Sequence, residues 1–264
     1  MPRELRSSVV VLTGASSGIG RAAVERFGRI DVWVNDAGVM AYGRFEDVPS
    51  EVFRSIIDTN LLGQVHGARA VLPHFRRQGA GVLINMSSVW GRVTSPDVSA
   101  YVASKHAVRA FSECLRQELR DTPGIGVATM LPAAVDTPIF ARAGNYSGRP
   151  VRPIPPMVDP EEVAEGIVRC AESPKREVTY GRLGRAMEVL YAIAPPLYNR
   201  LVPPAFAAGN FGRGTAERAA GNVLQPAGDD AAVDGGWRAA RRGELRRALA
   251  SAAGGLVRGV WRGG

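Results

Sequence analysis

The first hydrophobic run, Ser8–Thr13 (SVVVLT), is short, rich in β-branched residues and stopped by Gly14. That is the pattern of a parallel strand buried on both faces. Comparable runs lie at Ile30–Asn35 (IDVWVN), Val82–Met86 and Ile125–Leu131, the last stopped by Pro132. Between them the apolar positions change to helical spacing. Ser16–Phe27 reads as a helix start. Pro49–Phe75 reads as one long helix, carrying Val52, Phe53, Ile56 and Ile57, then Leu61, Leu62 and Val65. Ser99–Arg120 reads as a second long helix. Strands alternating with helices predict an α/β fold with three α/β/α layers around a parallel sheet.

Beyond Pro138 the pattern loosens. Residues 144–160 are dense in proline and read as a surface loop, followed by a helix over Pro160–Ala171 with Glu161 and Glu162 in its first turn. Val178 and Thr179 open a last strand. Residues 186–225 carry Pro195, Pro196, Pro203 and Pro204 and read as short helices and loops that wall a pocket. Phe140, Tyr146, Met157, Met187, Tyr191 and Tyr198 either line that pocket or pack in the core. The expected organisation is a domain over 1–225, a linker over 226–236 (PAGDDAAVDGG) and a tail over 237–264.

Charge sharpens this division. The formal net charge is +8, but residues 237–264 hold seven Arg against one Glu, so the body is nearly neutral. No basic face spreads over the fold, and no nucleic-acid partner is expected. In the tail, Leu245, Leu249, Ala252, Leu256 and Val260 form one helical stripe flanked by arginines. The stripe would suit weak contact with an anionic membrane surface; the plainer reading is a solvated tail. No apolar run approaches the roughly 18 residues of a membrane span. The N-terminus lacks a signal-peptide core. Two cysteines make no disulfide scaffold, so a cytoplasmic protein, peripheral to membrane at most, is expected. Cys114 reads as a small buried apolar residue. His66, His74 and His106 lack metal-ligand spacing, and no metal is expected.

Three segments carry candidate chemistry. Thr13-Gly14-Ala15-Ser16-Ser17-Gly18-Ile19-Gly20 follows a strand and opens a helix. Its glycines permit close backbone approach, and a helix N-terminus suits a phosphate; the alternative is an ordinary glycine-rich turn. Tyr101 and Lys105 lie four apart at the start of a helix, phenol and ammonium on one face. The ammonium would lower the Tyr101 pKa and make it a general acid/base. Of 33 basic residues only Lys105 and Lys175 are Lys. A Lys in an Arg-biased chain suggests chemistry that Arg cannot do, although a chance YxxxK on a solvated helix is common. Ser88 follows a strand and could hydrogen-bond a reacting oxygen, or belong to a turn with Ser87.

Taken in order, TGASSGIG, NDAG (35–38), Asn60 in DTNLLG, NMSS (85–88), YVASK (101–105) and LPAAVDTP (131–138) resemble the short-chain dehydrogenase/reductase family over roughly residues 8–180. The resemblance implies a Rossmann-like fold and hydride transfer between NAD or NADP and an alcohol or ketone. It implies that Gly14, Ser16, Ser17, Gly18, Ile19 and Gly20 line cofactor phosphates and ribose, and that Asn35, Ala37 and Gly38 lie along the cofactor. Tyr101 would be the acid/base, Ser88 would polarise the substrate oxygen, and Lys105 would hold the nicotinamide ribose. Asn60 would anchor a water of the proton relay, and Pro132, Val135 and Thr137 would border the carboxamide. A homo-oligomer joined through the two long helices is also implied.

The sequence departs from the family pattern at Ala133, usually Gly, and at Asp36, usually Asn. A larger departure is the segment 14–30, only seventeen residues between two strands. A nucleotide-binding half needs three linked parallel strands. In the family that the chain resembles, two further strands and their helices lie in this gap, so the fold is expected to lack part of its N-terminal half. One crossover of this length can still join neighbouring strands, for which about 10–12 residues is the minimum. The lost strands carry the groups that hold adenine and read the ribose, so a weak cofactor site and an exposed sheet edge are expected. The leading expectation is an NAD(P)-dependent oxidoreductase; its rival is an inactive relic that serves as a scaffold or interaction protein.

Overall fold

The computed structural model describes Leu5 and residues 8–13, 29–225 and 235–239. The helix expected over 16–27 and the apolar stripe from Leu245 to Val260 lie outside these residues. The strands are β1 (Val10–Thr13), β2 (Val32–Asn35), β3 (Ala41–Tyr42), β4 (Gly81–Met86), β5 (Ile125–Pro132), β6 (Gly144–Asn145) and β7 (Glu177–Tyr180). Five of them form one parallel sheet in the order β1-β2-β4-β5-β7, while β3 and β6 pair separately. β1 lies directly against β2, with Val10 beside Val32 and Thr13 beside Asn35. The sheet therefore closes across the shortened segment, as the length of the crossover allows.

The side-chain period of two assigns the strand residues to two cores. On one face Val11, Trp33, Leu83 and Val127 pack under two helices, α2 (Gly63–Gln78) and α3 (Ser99–Glu118), which contribute Val71, Phe75 and Leu115. On the other, Val34, Ile84 and Met130 meet Val163 and Cys170 of α5 (Pro160–Glu172), whose first turn is capped by the Asp159 carboxylate. This is the three-layer Rossmann-like arrangement. A polar row crosses the first face. The Asn35 amide donates to Asn85 Oδ1 at 2.8 Å, Asn85 donates to Ser112 Oγ at 2.9 Å, and Arg116 reaches Thr129 Oγ1 at 3.1 Å.

Several elements differ from expectation. The helix expected over 49–75 is α1 (Ser50–Ile57), a π-helical turn at Asp58–Leu62, and then α2, which continues to Gln78. A short α4 (Ile139–Arg142) and the β3–β6 pair give no hydrophobic period long enough to be read. The stretch expected to hold short helices and loops contains two longer helices, α6 (Arg182–Ile193) and α7 (Pro195–Asn210). Pro195 and Pro196 sit in the first turn of α7, where no amide donor is missed. Pro203 and Pro204 lie inside the helix on its exposed side. Cys114, expected to be buried, is exposed; the buried side of α3 at that level is formed by Ser112 and Leu115.

Candidate active site

The site is built where β2, β4 and β5 end. β4 stops at Met86, and Ser88 then caps a 3₁₀ turn, Val89–Gly91, by accepting the Trp90 amide at 3.2 Å. The Ser88 hydroxyl donates to the Pro132 carbonyl at the end of β5, 3.3 Å away. It also stands beside the phenol of Tyr101 and favours its ionised form. Tyr101 and Lys105 occupy the first turns of α3, both buried. Lys105 Nζ donates to the Met86 carbonyl at 2.9 Å and stands 5.4 Å from the centre of the Tyr101 ring. The sequence-predicted triad of Ser88, Tyr101 and Lys105 is thus assembled in one place.

Its electrostatics differ from expectation. Burial outweighs the other influences on Tyr101 and pushes its phenol up to about 12, with Ser88 opposing the rise. The expected net lowering is absent, and burial also penalises the Lys105 ammonium, which drops to about 8. The carboxylate of Asp36 holds it from falling further. Asp36 stands just past the end of β2, packed among protein groups yet partly open to solvent. Burial raises its carboxyl, and Lys105 pulls the other way.

The remaining expected residues divide into braces and open positions. Asn60 projects from the π-helical turn, a local widening often found at functional sites. Its Oδ1 accepts the Val39 amide at 2.8 Å, and its Nδ2 donates to the Val39 carbonyl at 2.9 Å and to Ser104 Oγ at 3.0 Å. Ser104 in turn donates to the Tyr101 carbonyl at 2.7 Å. These bonds tie the loop after β2 to the helix that carries Tyr101. The Asn35 side chain is turned into the sheet, bonded to Asn85, Trp33 and the Gln64 carbonyl. Ala37 and Gly38 beside it are half-buried. Val135 and Thr137 are half-buried in the loop after β5, and Pro132 closes that strand. Gly14, Ser16, Ser17, Gly18, Ile19 and Gly20 lie outside the described residues.

Ala133 has a structural counterpart. The position that a Cβ would take at Gly184 is 3.2 Å from the Ala133 methyl and 2.5 Å from Val89 Cγ2. The glycine in α6 thus makes room chiefly for Val89 and less tightly for the Ala133 methyl, which is approached more closely, at 2.7 Å, by the Cβ position of Gly181.

Around Tyr101 the fold gathers Tyr42, Trp90, Phe140, Phe206, Phe211 and Trp237. The Trp90 ring meets Tyr101 edge-on at 5.9 Å between centres and Phe206 at 5.8 Å. The phenol of Tyr42 and the indole N–H of Trp237 are buried without a hydrogen-bond partner. Of the six residues expected either to line a pocket or to pack in the core, only Phe140 joins this cluster. Met187, Tyr191 and Tyr198 pack against Val89 and Val93, and Tyr146 packs under β3. The missed aromatics are scattered along the chain, and no local period marks them.

Trp237 is delivered by a clasp. Asp136, buried, accepts the Trp237 amide at 3.0 Å on Oδ1 and the Arg238 amide at 2.9 Å on Oδ2. Gly235 donates to the Asp136 carbonyl at 3.2 Å, and Arg238 pairs with Asp159. The boundary expected between 236 and 237 falls inside this docked stretch.

The sequence of residues 21–146 matches the model of the short chain dehydrogenase family. Dehydrogenase/reductase SDR family member 7B of Danio rerio is 33% identical over 204 residues, 75% of this chain and 64% of the relative. SadH of Mycobacterium tuberculosis, named as an oxidoreductase, is 32% identical over 69% of this chain and 68% of its own. YxnA of Bacillus subtilis, also named as an oxidoreductase, is 35% identical over 187 residues. The chain spans 52% of YxnA's length, so part of that relative has no counterpart here. Among solved structures, a short chain dehydrogenase of Burkholderia cenocepacia in complex with NADP superposes with a TM-score of 0.59 at 25% identity, covering 70% of this chain and 73% of that one. One from Streptomyces avermitilis gives 0.57 at 26% identity, over 69% and 72%. With its sheet order, its Ser88–Tyr101–Lys105 geometry and these likenesses, the chain belongs to the short-chain dehydrogenase family.

Proposed function

We propose that this protein is an NAD(P)-dependent oxidoreductase that interconverts an apolar ketone or aldehyde and its alcohol. The observation that carries the reading is the buried Ser88–Tyr101–Lys105 cluster at the carboxyl ends of parallel strands, where α/β sheets hold ligands. NAD or NADP, when bound, would supply or accept the hydride. The residues present suit its nicotinamide end. A Cβ built at Gly38 would stand 3.5 Å from Lys105 Nζ and 3.6 Å from Asn60 Oδ1, so the missing side chain keeps the approach to the ammonium clear. Lys105 would hold the ribose there, and Pro132, Val135 and Thr137 would border the carboxamide.

Tyr101 would donate a proton to the carbonyl oxygen during reduction and take it back during oxidation. A phenol raised to about 12 stays protonated at neutral pH, so the proton to be donated is in place, while burial makes it a weaker acid that the Ser88 hydroxyl has to assist. Ser88 would hold the same oxygen and favour the phenolate that remains. The aromatic wall excludes water and favours an apolar substrate. A homo-oligomer joined through α1, α2 and α3 accompanies this reading.

The shortened segment between β1 and β2 favours a second reading, an inactive relic acting as a scaffold. One experiment separates them: titration with NADH and with NADPH, followed by carbonyl reduction with a Tyr101→Phe control. Saturable binding and a rate at least 100-fold lower in Tyr101→Phe support the enzyme. A folded sample that binds neither cofactor supports the relic.

A further inference from the structure

We infer that the corner between α6 and α7 is a docking face for the surface of an anionic phospholipid bilayer. Arg182, Arg185, Ala186, Val189 and Ile193 are exposed along one side of α6, at helical spacing. Leu197, Arg200 and Leu201 continue the pattern on α7. Ile193 is 78% exposed, Val189 53%, Leu201 49% and Leu197 46%. Ile193 and Leu197 are separated only by Ala194, Pro195 and Pro196, so the two apolar sides meet at one corner. Scattered single apolar residues on a surface mean little, but a continuous exposed patch marks an interaction site.

Charge selects the occupant. Glu188 is the only acidic residue in Arg182–Asn210, and its carboxylate is turned inward onto Arg92 and Thr179. The exposed face is therefore apolar and cationic without a compensating acid. A second copy docked here by two-fold symmetry would bring Arg182, Arg185 and Arg200 toward their own counterparts. Lipid phosphates instead supply the opposite charge, and acyl chains accept the apolar side chains. Among the described residues no helix is long and apolar enough to cross a membrane, so the contact is at the surface.

The inner side of the same helix gives this placement a purpose. Phe206 of α7 packs into the cluster around Tyr101. A bilayer on the outer side would then stand one helix away from the aromatic wall, and a carbonyl compound dissolved in lipid would have a short path to it. That last step rests on the proposed oxidoreductase reading; the docking itself does not.

Flotation with vesicles tests it without any measure of activity. The full chain is mixed with phosphatidylcholine vesicles, with or without 30% phosphatidylglycerol (about the anionic share at which surface attraction is strong). The Ile193→Glu/Leu197→Glu/Leu201→Glu variant is compared, with its melting temperature as a check on folding. The expected result is co-flotation with the anionic vesicles and at least tenfold weaker binding by the variant. Absence of binding overturns the inference, as does equal binding by the folded variant. Loss of binding only on deletion of 240–264 assigns the contact to the tail and also overturns it. So does a fall in oligomeric state in the variant, which would mean that a second copy covers the face.

Discussion

Lys105 carries its ammonium into a site where burial lowers its pKa from 10.5 to about 8. The unfolded chain therefore binds more protons than the folded one between these values, and stability rises with pH through that window. This contribution is full above about 10.5 and is lost as pH falls through about 8. From pH 7.5 to 9.5 the gain from this group is about 2 kcal/mol. Urea unfolding at the two pH values should show it in the wild type and not in Lys105→Met. Asp36 supports the charged form, so Asp36→Asn should move the alkaline limb of any turnover profile to lower pH; an unmoved limb would show that Asp36 does not act on Lys105. At this scale the sequence was most readable. Ser88, Tyr101 and Lys105 are identified by spacing and residue type, because their placement depends on one strand end and one helix start. The sign of the Tyr101 shift was not readable, because burial is set by Trp90, Phe206 and other residues far away in the chain.

Elements are joined by a second polar group away from the triad. Glu177 of β7 accepts from Arg109 of α3 at 2.6 Å and pairs with Arg92, which also bonds Glu188 of α6 at 3.0 Å. Burial alone would raise the Glu177 carboxyl, but the two arginines outweigh it and hold it below the ordinary carboxylate range. The pair's contribution is thus present above about 4.5 and fades as pH falls below it. Glu177→Gln leaves Arg109 without its carboxylate and Arg92 with Glu188 alone, and a loss of about 1–2 kcal/mol is expected at pH 7, shrinking near pH 4. Denaturant titration at both pH values checks this. None of these partners is close in sequence, so no local pattern announces the group. The strands of the five-stranded sheet and the helix over 99–118 followed from the hydrophobic pattern. The helices over 182–210 did not, because four prolines suggest interruption while packing of Tyr198 and Phe206 holds α7 in place.

The whole molecule is held together by contacts between distant segments. Asp136 binds the amides of Trp237 and Arg238 and so fixes a C-terminal stretch to the loop after β5. Hydrogen bonds to a charged acceptor contribute about 1.5–3 kcal/mol each. Asp136→Ala should therefore speed hydrogen exchange at those two amides by at least tenfold, with little change in the amides of β4; equal rates would mean that the clasp bears no load. The three-layer plan was legible from alternation of strands and helices, and the shortened segment from spacing. The return of Trp237 to the site was hidden, since a glycine-rich run before it reads as a linker.

β1 has one consequence for the order in which the sheet opens. Among the described residues it pairs only with β2, over four residues, whereas β4 is held on both sides. Val10 and Leu12 remain more than half exposed. Such an element opens at a lower free energy than the rest of a domain. Residues 14–20 follow it directly in the chain, so detachment of β1 would separate the glycine-rich segment from an otherwise assembled Ser88–Tyr101–Lys105 cluster. Affinity for a dinucleotide would then include the free energy of closing this strand, and weak binding would coexist with an intact Ser88–Tyr101–Lys105 arrangement.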